Sequence, residues 1–430
     1  MGGMGPFGHE TDIPMIVHFS RIFLFTLPFQ FALNPIPGVD LHISRVLSIL
    51  IFLSWLVSGS VRKTLIIPFS KTAAFLVSFA FISACSFLWA EQEGVAVRRA
   101  TFFLSFLPIF LVFSSIIEEK KARAVDLLLK PFFFGAVLSG IVGIIQVMLP
   151  LFFGPGPVFH FWVSSILPFF LGTSFAATVA EYPSLLVNIG GATMLRASAF
   201  FPDPHIFAYF TGMAFPVGLF LALKTDKSTE KYLLLVFSAV VLLADLLSFS
   251  RGAYLGLVFG AVSVFFLSGF DAKKKVYAAA ITVLFSVIVF FPGNPIGSRL
   301  LSVFSFEEGS NQGRIEMWDV AIRKIADQPA LGYGLGNYPL VVKPDAAFRE
   351  PIYAHNLFLD IATETGVVGV ILFSAALIAA FLALSKNYPI LATSLLIFTG
   401  HSLVETPLYS VHIFPILLLL LAFGSVKRTL

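Results

Sequence analysis

Apolar residues fall along this chain in uninterrupted blocks of about twenty, with polar residues confined to the gaps between them. Such blocks predict membrane-crossing helices near residues 14–33, 41–59, 65–89, 100–117, 125–149, 200–223, 232–249, 252–270, 276–292, 355–384, 388–404 and 410–424. Alternating patterns of the kind an outer-membrane barrel needs are absent. The expected fold is therefore an all-α integral membrane protein with about twelve transmembrane helices. Residues 1–292 hold nine spans with short connections and an irregular stretch at 150–199, residues 293–354 form one large loop, and residues 355–430 supply the last three spans. Pro14, His18, Arg21 and Pro28 weaken the first span, which is expected to lie partly in the interface. Within the irregular stretch, Gly154-Pro155-Gly156-Pro157 and Phe161-Trp162 predict an interfacial or re-entrant segment.

The large loop carries its own helix, capped by Ser310 or Asn311 and stopped near Asp327 ahead of Pro329. Ile315, Trp318, Ile322 and Ile325 form one apolar stripe, with Glu316, Asp319, Arg323 and Lys324 largely off it, so the helix is expected on the membrane surface. Arg314 falls in the first turn, where the helix dipole favours an acid. The glycine-punctuated run 331–338 predicts a turn whose backbone closely approaches another segment.

Composition sharpens the membrane reading: 57% of residues are hydrophobic, 12% are charged and the mean hydropathy is +0.92. Fifty-one phenylalanines suit a lipid-facing surface. The net charge of +4 needs no nucleic acid to explain it, because most basic residues alternate between connections. With the N-terminus cytoplasmic, Arg62-Lys63, Lys120-Lys121-Arg123, Lys224/Lys227/Lys231, Lys273-Lys274-Lys275, Lys386 and Lys427-Arg428 all fall on the cytoplasmic side. The periplasmic side then holds 91–99, the 150–199 stretch and the large loop. The opening residues, Gly-rich with Glu10 and Asp12, predict no cleaved signal peptide. Cys85 stands alone, so no intrachain disulfide forms.

Candidate chemistry follows from what defies the charge rule. Arg98, Arg99, Arg196, Arg251, Arg314 and Arg323 lie on the side where basic residues are depleted. Arg251 and Arg314 suit a phosphate-bearing lipid, since guanidinium offers planar, permanently charged, bidentate donors; the alternative is that they reach lipid headgroups or pair with Glu307, Glu308 or Asp319. His355 heads a span at the same face and suits proton transfer from a hydroxyl; its competitors are His160, His205, His401 and His412. No His/Cys spacing of a metal site, phosphate loop, dinucleotide fingerprint or serine-nucleophile elbow is present. Lys71 and Asp245 are candidate buried charges, as a transporter or lipid flippase would require.

In order and spacing, Ser250-Arg251-Gly252-Ala253, Asn311-Gln312-Gly313-Arg314 with Trp318, Gly332-Tyr333-Gly334, Ala354-His355-Asn356-Leu357 and Glu364-Thr365-Gly366 resemble the O-antigen ligase and O-antigen polymerase superfamily. The resemblance covers about residues 194–370. It implies a multi-pass enzyme of the bacterial inner membrane, with its active site facing the periplasm. It further implies an inverting glycosyltransferase needing neither metal nor cofactor, with an undecaprenyl-diphosphate-linked glycan as donor. The acceptor would be lipid A core for a ligase, or a second lipid-linked glycan for a polymerase. Carried over, Arg251 and Arg314 match the arginines that hold the donor diphosphate, and His355 matches the histidine that activates the acceptor hydroxyl. Arg196, ahead of Asp203-Pro204-His205, resembles an arginine followed by a D-P-N segment, with His205 in place of the asparagine.

Overall fold

The computed structural model describes residues 15–36, 39–62, 67–181, 184–266, 291, 293–302, 309–346 and 350–426. It is 76% helical, and the strands described form two short antiparallel hairpins, Ala32–Ile36 with Val39–His42 and Leu186–Ile189 with Ala192–Leu195. Among the described residues, five helical segments are long and apolar enough to cross a membrane: Lys71–Leu88, Glu93–Lys120, Ala122–Phe153, Pro204–Lys224 and Leu357–Asn387. Shorter apolar helices include Met15–Thr26, Pro389–His401 and Phe414–Ser425. Helices satisfy every backbone group internally, which is what a hydrocarbon solvent demands. The predicted span at 276–292 lies almost wholly outside the described residues. So do Met1 to Asp12, Lys63, Lys273 to Lys275 and Lys427-Arg428.

Local chemistry moves several predicted boundaries. The helix expected at 100–117 begins at Glu93 and is interrupted at Leu107, because Pro108 has no N–H to continue the ladder and instead starts Pro108–Lys120. The region after Met148 is broken into short helices, Pro150–Phe153, Pro155–Phe161, Leu167–Leu171 and Thr173–Glu181. Prolines begin the first three of these within their opening turn, and Gly154 and Gly172 separate pieces at positive φ. Lys71, weighed above as a buried charge, is exposed in the first turn of Lys71–Cys85.

Phe414–Ser425 is buried on every side, as a helix apolar all round its circumference should be. Pro204–Lys224 packs between Ser228–Leu246, Lys130–Met148 and Pro389–His401. Arg251–Phe266 lies tightly on Pro389–His401 because Gly252, Gly256 and Gly260 face it; a Cβ on Gly256 would sit 2.7 Å from the Ile397 carbonyl oxygen. That close approach carries His401 to the start of the Arg251–Phe266 helix.

The Leu357–Asn387 helix is kinked at Gly366, at φ 68°, where a Cβ would come within 2.0 Å of the Ala330 carbonyl oxygen. The glycine-rich turn docks into this kink. Tyr333 N–H donates to Thr363 O (2.9 Å) and Gly334 N–H to Glu364 O (2.8 Å), while Leu335 N–H donates to Ser86 Oγ (2.9 Å). The predicted close approach is thus made to two membrane helices at once.

Candidate active site

Five loops or helix ends meet at one end of the bundle. The first follows the Leu186–Ile189/Ala192–Leu195 hairpin, which turns through Gly190-Gly191 at positive φ and delivers Arg196. Gln146, fully buried in Lys130–Met148, pins the next residues: its Oε1 accepts from Ser198 N–H and Ala199 N–H, both at 2.9 Å. Ala197 N–H donates to Leu247 O (2.9 Å), placing this segment against the 248–251 turn. Arg196 Nε donates to Ser248 O (2.8 Å) and Nη1 to Ser184 O (3.0 Å).

Glu405, in the connection between Pro389–His401 and Phe414–Ser425, is the centre of the charged cluster. Arg314 Nη2 lies 2.5 Å from its Oε1, His355 Nδ1 lies 3.0 Å from its Oε2, and His205 Nδ1 is 3.5 Å from Oε1. His205 Nδ1 is also 2.9 Å from Ser250 Oγ, which links this cluster to the 248–251 turn. Burial alone would raise the Glu405 carboxyl, but the two histidines and Arg314 hold it well below the usual carboxylate range. Burial likewise pulls His355 down, yet Glu405 outweighs it and the imidazole is raised above its ordinary value. With Nδ1–H donated to Glu405, the neutral His355 ring leaves Nε2 as the acceptor nitrogen. The His355 backbone is at φ 50°, an uncommon conformation for a side-chain-bearing residue.

Two buried acids on one face of Leu357–Asn387 hold the loops around this pair. Asp360 Oδ1 accepts from Ala354 N–H (2.9 Å), and Thr406 Oγ1 donates to its Oδ2. One carboxylate therefore grips the neighbour of His355 and the neighbour of Glu405. One turn on, Glu364 accepts from Tyr409 Oη, and Arg99 lies 4.2 Å over the Tyr409 ring. Leu357 N–H donates to Ser402 O (2.9 Å), adding a third tie.

The structure thus joins Arg314 to His355, and Arg196 to the turn that carries Arg251. Arg314 lies in the second turn of Gly309–Asp327 rather than the first, and its ion pair with Glu405 supplies the reason for a cation there. Ile315 and Ile322 of the predicted stripe are exposed, while Ala321 packs against Tyr338 and Ala354. Sequence reasoning missed Glu405, although it is the sole acidic residue in 365–430. Among the competing histidines, His401 stacks on Tyr209 with ring centroids 3.7 Å apart, and His412 Nδ1 bonds to Leu27 O (2.8 Å). Among the described residues no three His, Cys, Asp or Glu side chains gather as a metal-ligand set. A cavity of about 620 Å³ lies at the opposite end of the bundle, between Lys130, Lys227, Glu230 and Phe237, and no residue of the cluster lines it.

Residues 233–374 match the O-antigen ligase family. Over 172 residues the chain is 25% identical to a Rickettsia conorii protein provisionally named a polysaccharide ligase; the match spans 36% of this chain and 40% of that relative. The matched family region contains Arg251, Arg314, His355 and both anchoring acids, and the superfamily resemblance read from the motifs is borne out. Arg196, His205 and Glu405 lie outside it.

Proposed function

We propose, for a chain whose residues 233–374 match the O-antigen ligase family, that the cluster transfers a glycan from an undecaprenyl-diphosphate-linked donor to a sugar hydroxyl. The observation that carries this reading is the His355–Glu405 hydrogen bond with Arg314 on the same carboxylate. Glu405 orients the imidazole and stabilises its protonated form. Nε2 accepts the proton of the acceptor hydroxyl as its oxygen attacks the anomeric carbon. The bond from that carbon to the diphosphate oxygen breaks, and undecaprenyl diphosphate leaves with the electron pair. Arg251, Arg314 and Arg196 neutralise the growing negative charge on the leaving group. Attack from the face opposite the diphosphate inverts the anomeric centre. Lipid A core is the acceptor in this reading, with extension of a second lipid-linked glycan as the alternative that the same residues would serve. The reaction runs at the periplasmic face of the inner membrane and uses no metal.

Arginine-to-lysine exchange tests the donor role. Arg251→Lys and Arg314→Lys keep the charge but lose the planar two-bond contact, so each should cut transfer strongly at wild-type protein levels, with EDTA present throughout. Near-normal turnover by both variants removes them from the donor site, and loss of wild-type transfer in EDTA rules out the metal-free route.

A further inference from the structure

Arg99, in the Glu93–Phe106 helix, is one of the arginines that run against the charge rule, and the transfer chemistry above makes no use of it. It is fixed in place without engaging its N–H groups. The guanidinium lies 4.2 Å over the Tyr409 ring, and Tyr409 is itself held through its hydroxyl on Glu364. The stem of Arg99 runs over Gly336, at φ 75°, where any Cβ would collide with Arg99 Cγ. Held between a ring and a glycine, the guanidinium makes no hydrogen bond and no ion pair among the described residues. Glu364, whose charge it meets, is already engaged: it accepts from Tyr409 Oη and faces the Gly336 and Tyr338 N–H groups. The planar fork of donors on this half-buried side chain therefore stays open.

A second open group stands beside it. Tyr353 is half-buried, and its hydroxyl makes no hydrogen bond among the described residues. Of the charges that act on that hydroxyl, Arg99 is the strongest, ahead of Asp203, Asp360 and Glu405. The Tyr353 ring stands edge-on to the His355 imidazole, with centroids 6.2 Å apart. Arg99 and Tyr353 thus belong to the His355 side of Glu405, the side of Oε2. The 248–251 turn, which carries Arg251, reaches the same carboxylate through Ser250 and His205 at Oε1. A hydroxyl that gives its proton to His355 Nε2 comes from a molecule on the first side, since the second is given to the diphosphate.

We propose that Arg99 and Tyr353 form the acceptor subsite and that the acceptor is an acidic saccharide, its phosphate or carboxylate group held by Arg99 and a sugar hydroxyl by Tyr353. The inference rests on the transfer reading given above and narrows its acceptor. Guanidinium pairs with either anionic group through two parallel charge-assisted hydrogen bonds, which a neutral sugar cannot return. Because the Tyr409 ring already fixes the guanidinium plane, little freedom is lost when the anion arrives.

The test is binding of glucose 6-phosphate, glucuronic acid, glucose and inorganic phosphate to purified full-length protein, followed by saturation-transfer NMR. Geranylgeranyl diphosphate is kept saturating, so that the diphosphate-binding arginines are occupied. Both acidic sugars should bind about tenfold to a hundredfold more tightly than glucose, and glucose 6-phosphate more tightly than inorganic phosphate. Arg99→Gln should abolish the preference for acidic sugars, leave geranylgeranyl diphosphate binding unchanged, and raise the acceptor KM more than it lowers kcat. Tyr353→Phe keeps the ring beside His355 and should weaken all three sugars by a smaller factor. Arg99→Lys keeps the charge without the planar fork, should retain only part of the preference, and decides the matter where the glutamine variant does not fold. Equal binding of acidic and neutral sugars by the wild type, inorganic phosphate binding as tightly as glucose 6-phosphate, or a full preference in the Arg99 variants overturns the subsite. Those outcomes leave the transfer reading intact if the wild type still transfers glycan from an undecaprenyl-diphosphate donor; absence of that transfer removes both.

Discussion

The chemistry proposed here turns on one imidazole and one carboxylate. His355 was visible in the sequence because a histidine heads an apolar block beside a recognisable motif; Glu405 was not, because contact across fifty residues leaves no local pattern. Its solitary position among the acids of the C-terminal region was the available signal. The pairing has a pH signature. As the proton acceptor, His355 must be neutral, so transfer should fall as pH drops through a value above the ordinary ~6.5. Glu405→Gln removes the main group that raises it and leaves burial and Arg314, which lower it, against the smaller upward pull of Asp360. The acidic limb of the rate profile should therefore move to lower pH, with a smaller maximal rate. An unmoved limb in Glu405→Gln separates the carboxylate from the base. The ion pair's contribution to stability follows the same signs. For His355, with its value raised, the contribution is present below ~6.5 and fades as pH rises through the folded value. For Glu405, with its value depressed, it is present above the ordinary carboxylate range and is lost on strong acidification.

At the scale of elements, the motif residues Gly332, Gly334 and Glu364-Thr365-Gly366 act as one docking joint rather than as chemistry. The sequence announced a turn and a helix separately; only the fold brings the turn into the helix kink, because the partner carbonyls at Thr363 and Glu364 carry no side-chain signature. Gly366→Ala should destabilise the protein by about 2–4 kcal/mol, from a left-handed backbone and a clash with the Ala330 carbonyl. Gly313→Ala is the control: among the described residues no atom lies within 4 Å of the added methyl and the site is helical, so it should be neutral or stabilising by up to ~1 kcal/mol. Thermal unfolding of the two variants in one detergent checks this, and equal melting temperatures would contradict the joint. Asp360 ties the loops bearing His355 and Glu405, so Asp360→Ala should lower transfer even in protein that remains folded. The glycine stripe Gly252, Gly256, Gly260 was not singled out in the sequence, because four-residue spacing of glycines gains meaning only with the facing Pro389–His401 helix.

For the molecule as a whole, hydropathy foretold the helical membrane architecture, since blocks of about twenty apolar residues admit few other solutions. The prolines and glycines of 154–172 marked that stretch as irregular in the sequence, whereas the single Pro108 inside an apolar block gave no such warning of the interruption at Leu107. Charge placement predicts that the end carrying Lys130, Lys224 and Lys227 is cytoplasmic and the end carrying the cluster is periplasmic. Single cysteines at Lys227 and Asp345, introduced in a Cys85→Ser background, should label from outside only at position 345; the reverse pattern would move the site to the cytoplasm. The central claim, that His355 accepts the hydroxyl proton in glycan transfer, is tested most directly with purified protein and a defined undecaprenyl-diphosphate glycan donor. Wild type and His355→Ala are compared at matched amounts, with donor binding measured in parallel. The expected result is retained donor binding with transfer reduced roughly 10²–10⁴-fold. Transfer by His355→Ala at the wild-type rate would contradict the account.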